Sequence, residues 1–201
     1  MNEQLIELMS RFKTIQHDDL SLEMKQYAQE HDVPIIQDQG LELMLQLLRV
    51  KQPKTILEIG SAIGYSSLMM ARHLPQSHVV TIERDESRYK EAVNYHARST
   101  ISDRVTLIKA DALEILNEDI PNAPFDVIFI DAAKAQYQKF FEKYEPLLKE
   151  DGMIISDNLL FHGHIFDNNQ KQSRNLKQLV RKINRYNDWL ANHPDYDTLL
   201  L

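Results

Sequence analysis

Cysteine is absent from the 201 residues, which removes disulfides, thiolate nucleophiles and zinc–thiolate sites together. Glycine and proline are scarce, at 5 and 7, so the chain is neither collagen-like nor low in complexity. With 43% apolar residues it is too hydrophobic to stay disordered. No apolar run approaches the roughly 18 residues that a membrane-crossing helix needs. The opening Met1-Asn2-Glu3-Gln4 lacks the basic and apolar regions of a signal peptide, so a cytoplasmic location is the default expectation. Lysine and arginine number 23 against 30 acids, a net charge of −7. That balance argues against wholesale nucleic-acid binding and leaves room for a local basic patch. The length suits one domain with a continuous core.

What is present centres on Thr55-Ile56-Leu57-Glu58-Ile59-Gly60-Ser61-Ala62-Ile63-Gly64-Tyr65. An apolar run of strand character breaks at Gly60, turns, and restarts as a helical pattern over residues 66–73. A strand feeding a glycine turn and then a helix aims free backbone N–H groups at a ligand. The dinucleotide fingerprint is G-x-G-x-x-G, whose middle glycine admits a pyrophosphate. Here Ala62 stands at that position and the spacing is G-x-x-x-G, which points to a cofactor without a pyrophosphate. A second run, His78-Val79-Val80-Thr81-Ile82-Glu83, ends in an acid placed to accept two ribose hydroxyls. Glu83 also reads as an ordinary strand-end acid.

Before this core, helical spacing runs through Leu5, Leu8, Met9, Phe12 and Ile15. It resumes over residues 21–31 with Leu22, Tyr27 and Ala28 inward, then over 40–50 through Leu41, Met44, Leu45 and Leu48. These helices form a cap or an oligomer surface. After Glu83 the pattern predicts a helix over 85–98 with Asp85 as N-cap, a strand over 105–108 and a short helix over 111–116. A buried strand over 125–131, an amphipathic helix over 135–148 and a strand over 152–158 follow. Repeated β-α units imply a parallel sheet covered by helices on both faces, an α/β Rossmann-like fold. Ligands in such sheets lie beyond the carboxyl ends of strands, where Gly60, Glu83, Asp131, Asp157 and Asn158 converge. A long helix to about residue 192 and a strand-like stretch over 196–201 close the chain, and one further strand is expected to be missing.

Asp131, Asp157 and Asn158 offer three hard oxygen donors, which suit Mg²⁺, with Ca²⁺ or Mn²⁺ as alternatives. The alternative is that Asp157 and Asn158 cap a turn while Asp131 serves the cofactor alone. His162 and His164 read as a loop pair facing solvent or substrate rather than as zinc ligands. Lys134, three residues past Asp131, is either a solvated helix-start lysine or a general base activated by a nearby cation.

The ordered set E-I-G-S-A-I-G-Y-S, V-V-T-I-E, F-D-V-I-F-I-D-A-A-K and I-I-S-D-N resembles the cation-dependent O-methyltransferases that use S-adenosylmethionine, the catechol and caffeoyl-CoA type. The resemblance spans about residues 34–163. It implies that Glu58, Gly60, Gly64, Tyr65 and Ser66 surround the methionine end of the cofactor. It also sets Glu83 on the ribose, Asp111 and Ala112 by the adenine, and Ile36 in the capping segment. Asp131, Asp157 and Asn158 match the metal ligands, with Asp131 also touching cofactor, and Lys134 matches the catalytic lysine. Ala132-Ala133 replace the His-Trp of the catechol enzymes, leaving a roomier floor, and their last strand hairpin is missing. The implied division is one methyltransferase domain over 1–201: a helical cap over 1–50, a cofactor and metal core over 54–158, and a loop, basic helix and terminal strand over 159–201.

A cation of this kind suits a substrate with two adjacent oxygens, as in catechols or in 5-hydroxyuridine. Lys171, Arg174, Lys177, Arg181 and Arg185 recur at helical spacing, with no acid between Gln170 and Asn187. The stripe reads as a phosphate-backbone contact, with Arg11 and Lys13 as additions, or else as a solvated helix face. The whole sequence is most similar to bacterial tRNA 5-hydroxyuridine methyltransferases, which implies wobble-position 5-methoxyuridine as product. A small-molecule catechol or phenolic-ester methyltransferase is the alternative. A non-catalytic adenosyl-ligand or RNA-binding module is the reading from another class. A homodimer is expected through the early helices and the C-terminal stretch.

Overall fold

The structure, a computed structural model, describes residues 15–161 and 173–201. Five parallel strands form one sheet in the order β3-β2-β1-β4-β5. They are β1 (Thr55–Ile59), β2 (His78–Glu83), β3 (Val105–Lys109), β4 (Phe125–Ile130) and β5 (Leu148–Ser156). The helices are α1 (Asp19–Glu30), α2 (Asp38–Lys51), α3 (Tyr65–His73), α4 (Glu86–Ala97), α5 (Tyr137–Tyr144) and α6 (Arg174–Ala191). The strand order reverses between β1 and β4, where the crossovers leave to opposite sides and open a crevice.

Successive strand residues face opposite sides, so the apolar runs feed two cores. Ile56, Val79, Val127 and Phe129 pack with α1, α2 and α3 through Met24, Leu45, Leu48 and Leu68. Leu57, Ile59, Val80, Ile82, Ile128 and Ile130 pack on the other face with Phe140, Phe141, Tyr144 and Tyr186 of α5 and α6. Among the described residues no helix is long and apolar enough to cross a membrane.

Several sequence expectations need correction. Residues 111–116 form a single turn, not a helix: the Asp111 carboxylate accepts the Leu113 N–H at 2.8 Å and its carbonyl the Glu114 and Ile115 N–H groups at 3.0 Å, but the turn is not continued beyond Ile115. The helix expected over 135–148 is α-helical only from Tyr137 to Tyr144; a 3-10 turn with Pro146 ends it and Leu148 already opens β5. Leu22 is exposed on α1, whose buried face carries Ser21, Met24 and Ala28. Residues 196–201 form no strand: Tyr196 packs edge-on to Phe141, and Leu199, Leu200 and Leu201 are exposed. The N-cap role of Asp85 holds, since its side chain accepts the Arg88 N–H at 2.9 Å. The helical spacing over 5–12 lies outside the described residues.

The turn after β1 depends on a missing side chain. Gly60 has φ +95°, and a Cβ there would come within 2.7 Å of the Asp131 carbonyl oxygen and 3.0 Å of the Ala132 Cα, both backbone atoms. Gly60→Ala therefore combines backbone strain with overlap and should cost about 2–4 kcal/mol. Urea denaturation of the two proteins measures it.

Candidate active site

The register of the sheet builds the site. Ile59 pairs with Ile82 and with Ile130, and Ile130 pairs with Ser156. The next residue on each strand is Gly60, Glu83, Asp131 and Asp157, so these four form a row along the carboxyl edge. Strands spaced about 4.8 Å apart put each within reach of its neighbour. The ladder continues past the strand ends: Gly60 N–H donates to the Ile82 carbonyl at 2.9 Å, Asp131 N–H to Ile59 at 3.0 Å, and Asp157 N–H to Ile130 at 3.1 Å.

Above this row lies a cavity of about 650 Å³. Ile36, Gly60, Ser66, Glu83, Asp111, Ala112, Asp131, Lys134, Asp157 and Asn158, all site residues expected from the sequence, line it. Three expected residues stand behind the wall instead. Glu58 is fully buried beneath the floor, and Tyr65 is 1% exposed in the core. Gly64 supports the turn as the left-handed N-cap of α3. Of the basic stripe, Arg174, Arg181 and Arg185 are exposed on α6 and Lys177 is half-buried. Arg11, Lys13, Lys171, His162 and His164 lie outside the described residues.

Glu83 is held open as an acceptor. One carboxylate oxygen accepts the Ala62 N–H and the other the Asp85 N–H, each at 2.8 Å. A carboxylate has further lone pairs, and a ribose diol could take those facing the cavity. On the far side Asp111 divides its oxygens between the Leu113 N–H and Arg84, 3.5 Å away. Arg84 and Arg88, neither singled out from the sequence, line the same wall.

The opposite end of the row carries concentrated negative charge. Burial, then the neighbouring Asp157 and Glu58, push the Asp131 carboxyl well above its ordinary range, while Lys134 works the other way. The Asp157 backbone is fixed from two helices. Tyr137 of α5 donates its hydroxyl to the Asp157 carbonyl at 2.9 Å, and the Tyr186 hydroxyl of α6 lies 3.0 Å from that of Ser156. Asn158 adopts φ +56°, a left-handed conformation that asparagine tolerates. Among the described residues no three His, Cys, Asp or Glu side chains gather to hold a metal. A cation here would rest on two carboxylates and the Asn158 amide. Crowded carboxylates with an amide oxygen form a hard donor set that fits Mg²⁺.

Sequence reasoning missed Thr81, which serves Glu58 from below, and Leu179. Glu58 accepts the hydroxyls of Ser66 and Thr81, the latter at 2.5 Å. Thr81 pairs with Glu58 in register, a partnership that only the strand alignment reveals. Leu179 of α6 reaches the cavity wall, which joins the basic helix to the site.

The family model described as O-methyltransferase matches residues 11–200. A Staphylococcus aureus protein provisionally named a caffeoyl-CoA O-methyltransferase is 41% identical, with a TM-score of 0.87 over 99% of this chain and 92% of that one. TomG from Streptomyces achromogenes, an O-methyltransferase of tomaymycin synthesis solved in complex with SAM, is 28% identical at TM-score 0.79, covering 97% of this chain and 89% of that one. The catechol O-methyltransferase of Niastella koreensis is 29% identical over all of this chain and 92% of its own length.

The buried Glu58 yields a pH dependence. Burial pushes its carboxyl from an ordinary 4.5 up to about 7, against the two hydroxyl donors and with a smaller push from Glu83. Between those values the unfolded chain releases this proton while the folded chain keeps it. Stability contributed here is complete below about pH 4.5 and falls until about pH 7. Glu58→Gln should remove that fall, an effect of about 3 kcal/mol across the window. Denaturation midpoints from pH 4.5 to 8 compare the two proteins.

Proposed function

The chain belongs to the O-methyltransferase family, and from that premise we propose that it methylates the 5-hydroxyl of 5-hydroxyuridine in tRNA. The methyl donor in this reading is S-adenosylmethionine, with Mg²⁺ assisting and wobble-position 5-methoxyuridine as product. The observation that carries the substrate class is the disposition of α6. One side of this helix packs Ile183, Tyr186 and Leu190 into the core, and Leu179 borders the cavity. Its outer side exposes Arg174, Arg181, Lys182 and Arg185, with no acid before Asp188. A cationic face that begins at the rim of the cavity suits a polyanion whose reacting base enters while its backbone stays outside.

The donor supplies a sulfonium methyl group. In the reaction the substrate oxygen forms a bond to that carbon, the carbon–sulfur bond breaks, and its electron pair stays on sulfur. Glu83 would bind the ribose hydroxyls, Asp111 and Ala112 would border the adenine, and Gly60, Ser66 and Asp131 would border the methionine end. Asp131, Asp157 and Asn158 would hold Mg²⁺, whose positive charge stabilises an oxyanion. Lys134, on the same wall, would take the hydroxyl proton. The walls around this row orient the two reactants for in-line displacement.

A catechol or phenolic ester is the second reading, favoured by the names of the relatives, which include a caffeoyl-CoA O-methyltransferase of Populus kitakamiensis at 30% identity over 76% of this chain and 67% of its own length. A homodimer belongs to the proposal too, and a monomeric mass in solution would count against it.

Incubating hydroxyuridine-containing tRNA with the protein, donor and Mg²⁺, followed by mass analysis of nucleosides, should reveal 5-methoxyuridine. EDTA should abolish the product and leave donor binding largely intact. Activity on free catechol that ignores added salt, with tRNA untouched, would replace this reading with the second. Arg174→Glu combined with Arg181→Glu should weaken tRNA binding at least tenfold at moderate salt and leave donor affinity unchanged. Filter binding and calorimetry measure the two.

A further inference from the structure

His96 lies on α4, outside the cavity, and is 3% exposed. Its Nε2 is 3.0 Å from the Gly64 carbonyl oxygen and 3.2 Å from the Ser67 hydroxyl. A ring nitrogen that close to a carbonyl oxygen must carry the proton, since two lone pairs would repel. The tautomer is therefore Nε2–H, and the buried Nδ1 is left bare with no hydrogen-bond partner among the described residues. Burial pushes the imidazole toward its neutral form, which agrees with that assignment.

An unpartnered buried acceptor is a cost that an aliphatic side chain would avoid. What the imidazole supplies in return is a grip on one peptide group. Gly64 ends the turn that opens at Gly60, and its N–H donates to the Ser61 carbonyl at 2.7 Å. Its own carbonyl receives His96, the Ser67 hydroxyl at 3.1 Å and the Leu68 N–H at 3.1 Å. Gly64 has φ +78° and no side-chain cap. A Cβ on it would come within 2.6 Å of His96 Nε2, so ring and backbone are in direct contact. The same turn carries the Ala62 N–H that holds Glu83, and Ser61 and Ala62 line the cavity.

We propose that His96 is a positioning residue that pre-organises the Gly60–Gly64 turn for the adenosyl cofactor through its hydrogen bond to the Gly64 carbonyl. The inference rests on the cofactor reading above. Without this bond the turn samples other conformations, and ordering it is charged against binding. The bond acts on cofactor affinity and not on the methyl transfer itself.

The test is calorimetric binding of S-adenosylhomocysteine, well below the unfolding temperature, to the wild type, His96→Leu and His96→Gln. Leucine fills the space without a donor, whereas glutamine can return an N–H near the Nε2 position. His96→Leu should weaken binding at least tenfold and His96→Gln less than threefold. The KM for S-adenosylmethionine should rise in His96→Leu while kcat stays within twofold. A lowered denaturation midpoint with unchanged affinity would mean a merely structural histidine and overturn the proposal. If His96→Leu does not fold, His96→Asn replaces it, with a polar amide too short to reach Gly64 and the same tenfold loss expected. Unchanged affinity in that variant is equally fatal. A wild type that binds no S-adenosylhomocysteine would overturn the cofactor reading and this inference together, whereas normal wild-type binding with unaffected variants removes the inference alone.

Discussion

Parallel strand pairing is the constraint on which the site depends. Each crossover returns the chain so that every strand ends at the same carboxyl end of the sheet, and the ladder bonds leave almost no freedom in where each strand stops. With Ile59, Ile82, Ile130 and Ser156 in mutual register, their successors align without further instruction. A slip of one residue on any strand would send each of its side chains to the opposite face, into a core packed for different side chains. The two cores therefore enforce the alignment of the polar tips, although no tip residue takes part in them.

The arrangement concentrates acid where water is scarce. Asp157 and Glu58 push the Asp131 carboxyl up, Glu83 adds a smaller push on Glu58, and the fold offsets this with local donors. Ser66 and Thr81 serve Glu58, backbone N–H groups serve Glu83, and Lys134 acts on Asp131. A site so built has affinity for positive charge. Sulfonium, ammonium and divalent cation are all positive, so in the proposed reaction one electrostatic feature would serve the donor and the ion together.

Much of this was legible from the residues alone. The break at Gly60, the acids ending two apolar runs and the Asp157-Asn158 pair needed only strand periodicity and the rule that parallel sheets bind at their carboxyl ends. The failures share a cause. The stretch 111–116 closes one turn on the Asp111 carbonyl and is not extended into a helix, and the strand-like stretch 196–201 has no pairing partner among the described residues. Leu22 was misassigned because helical spacing defines a stripe without saying which stripe meets the core.

By itself the sequence determined the order of the five strands, the turn at Gly60 and the polar residues that follow the strand ends, because these depend on local periodicity and residue type. Tertiary structure alone decided that Glu58, Gly64 and Tyr65 stand behind the cavity wall, that Thr81 and His96 support it, and that α6 borders it through Leu179. Those facts arise from contacts between residues far apart in the chain. Register and helix packing make such contacts, and no stretch of sequence encodes them in isolation.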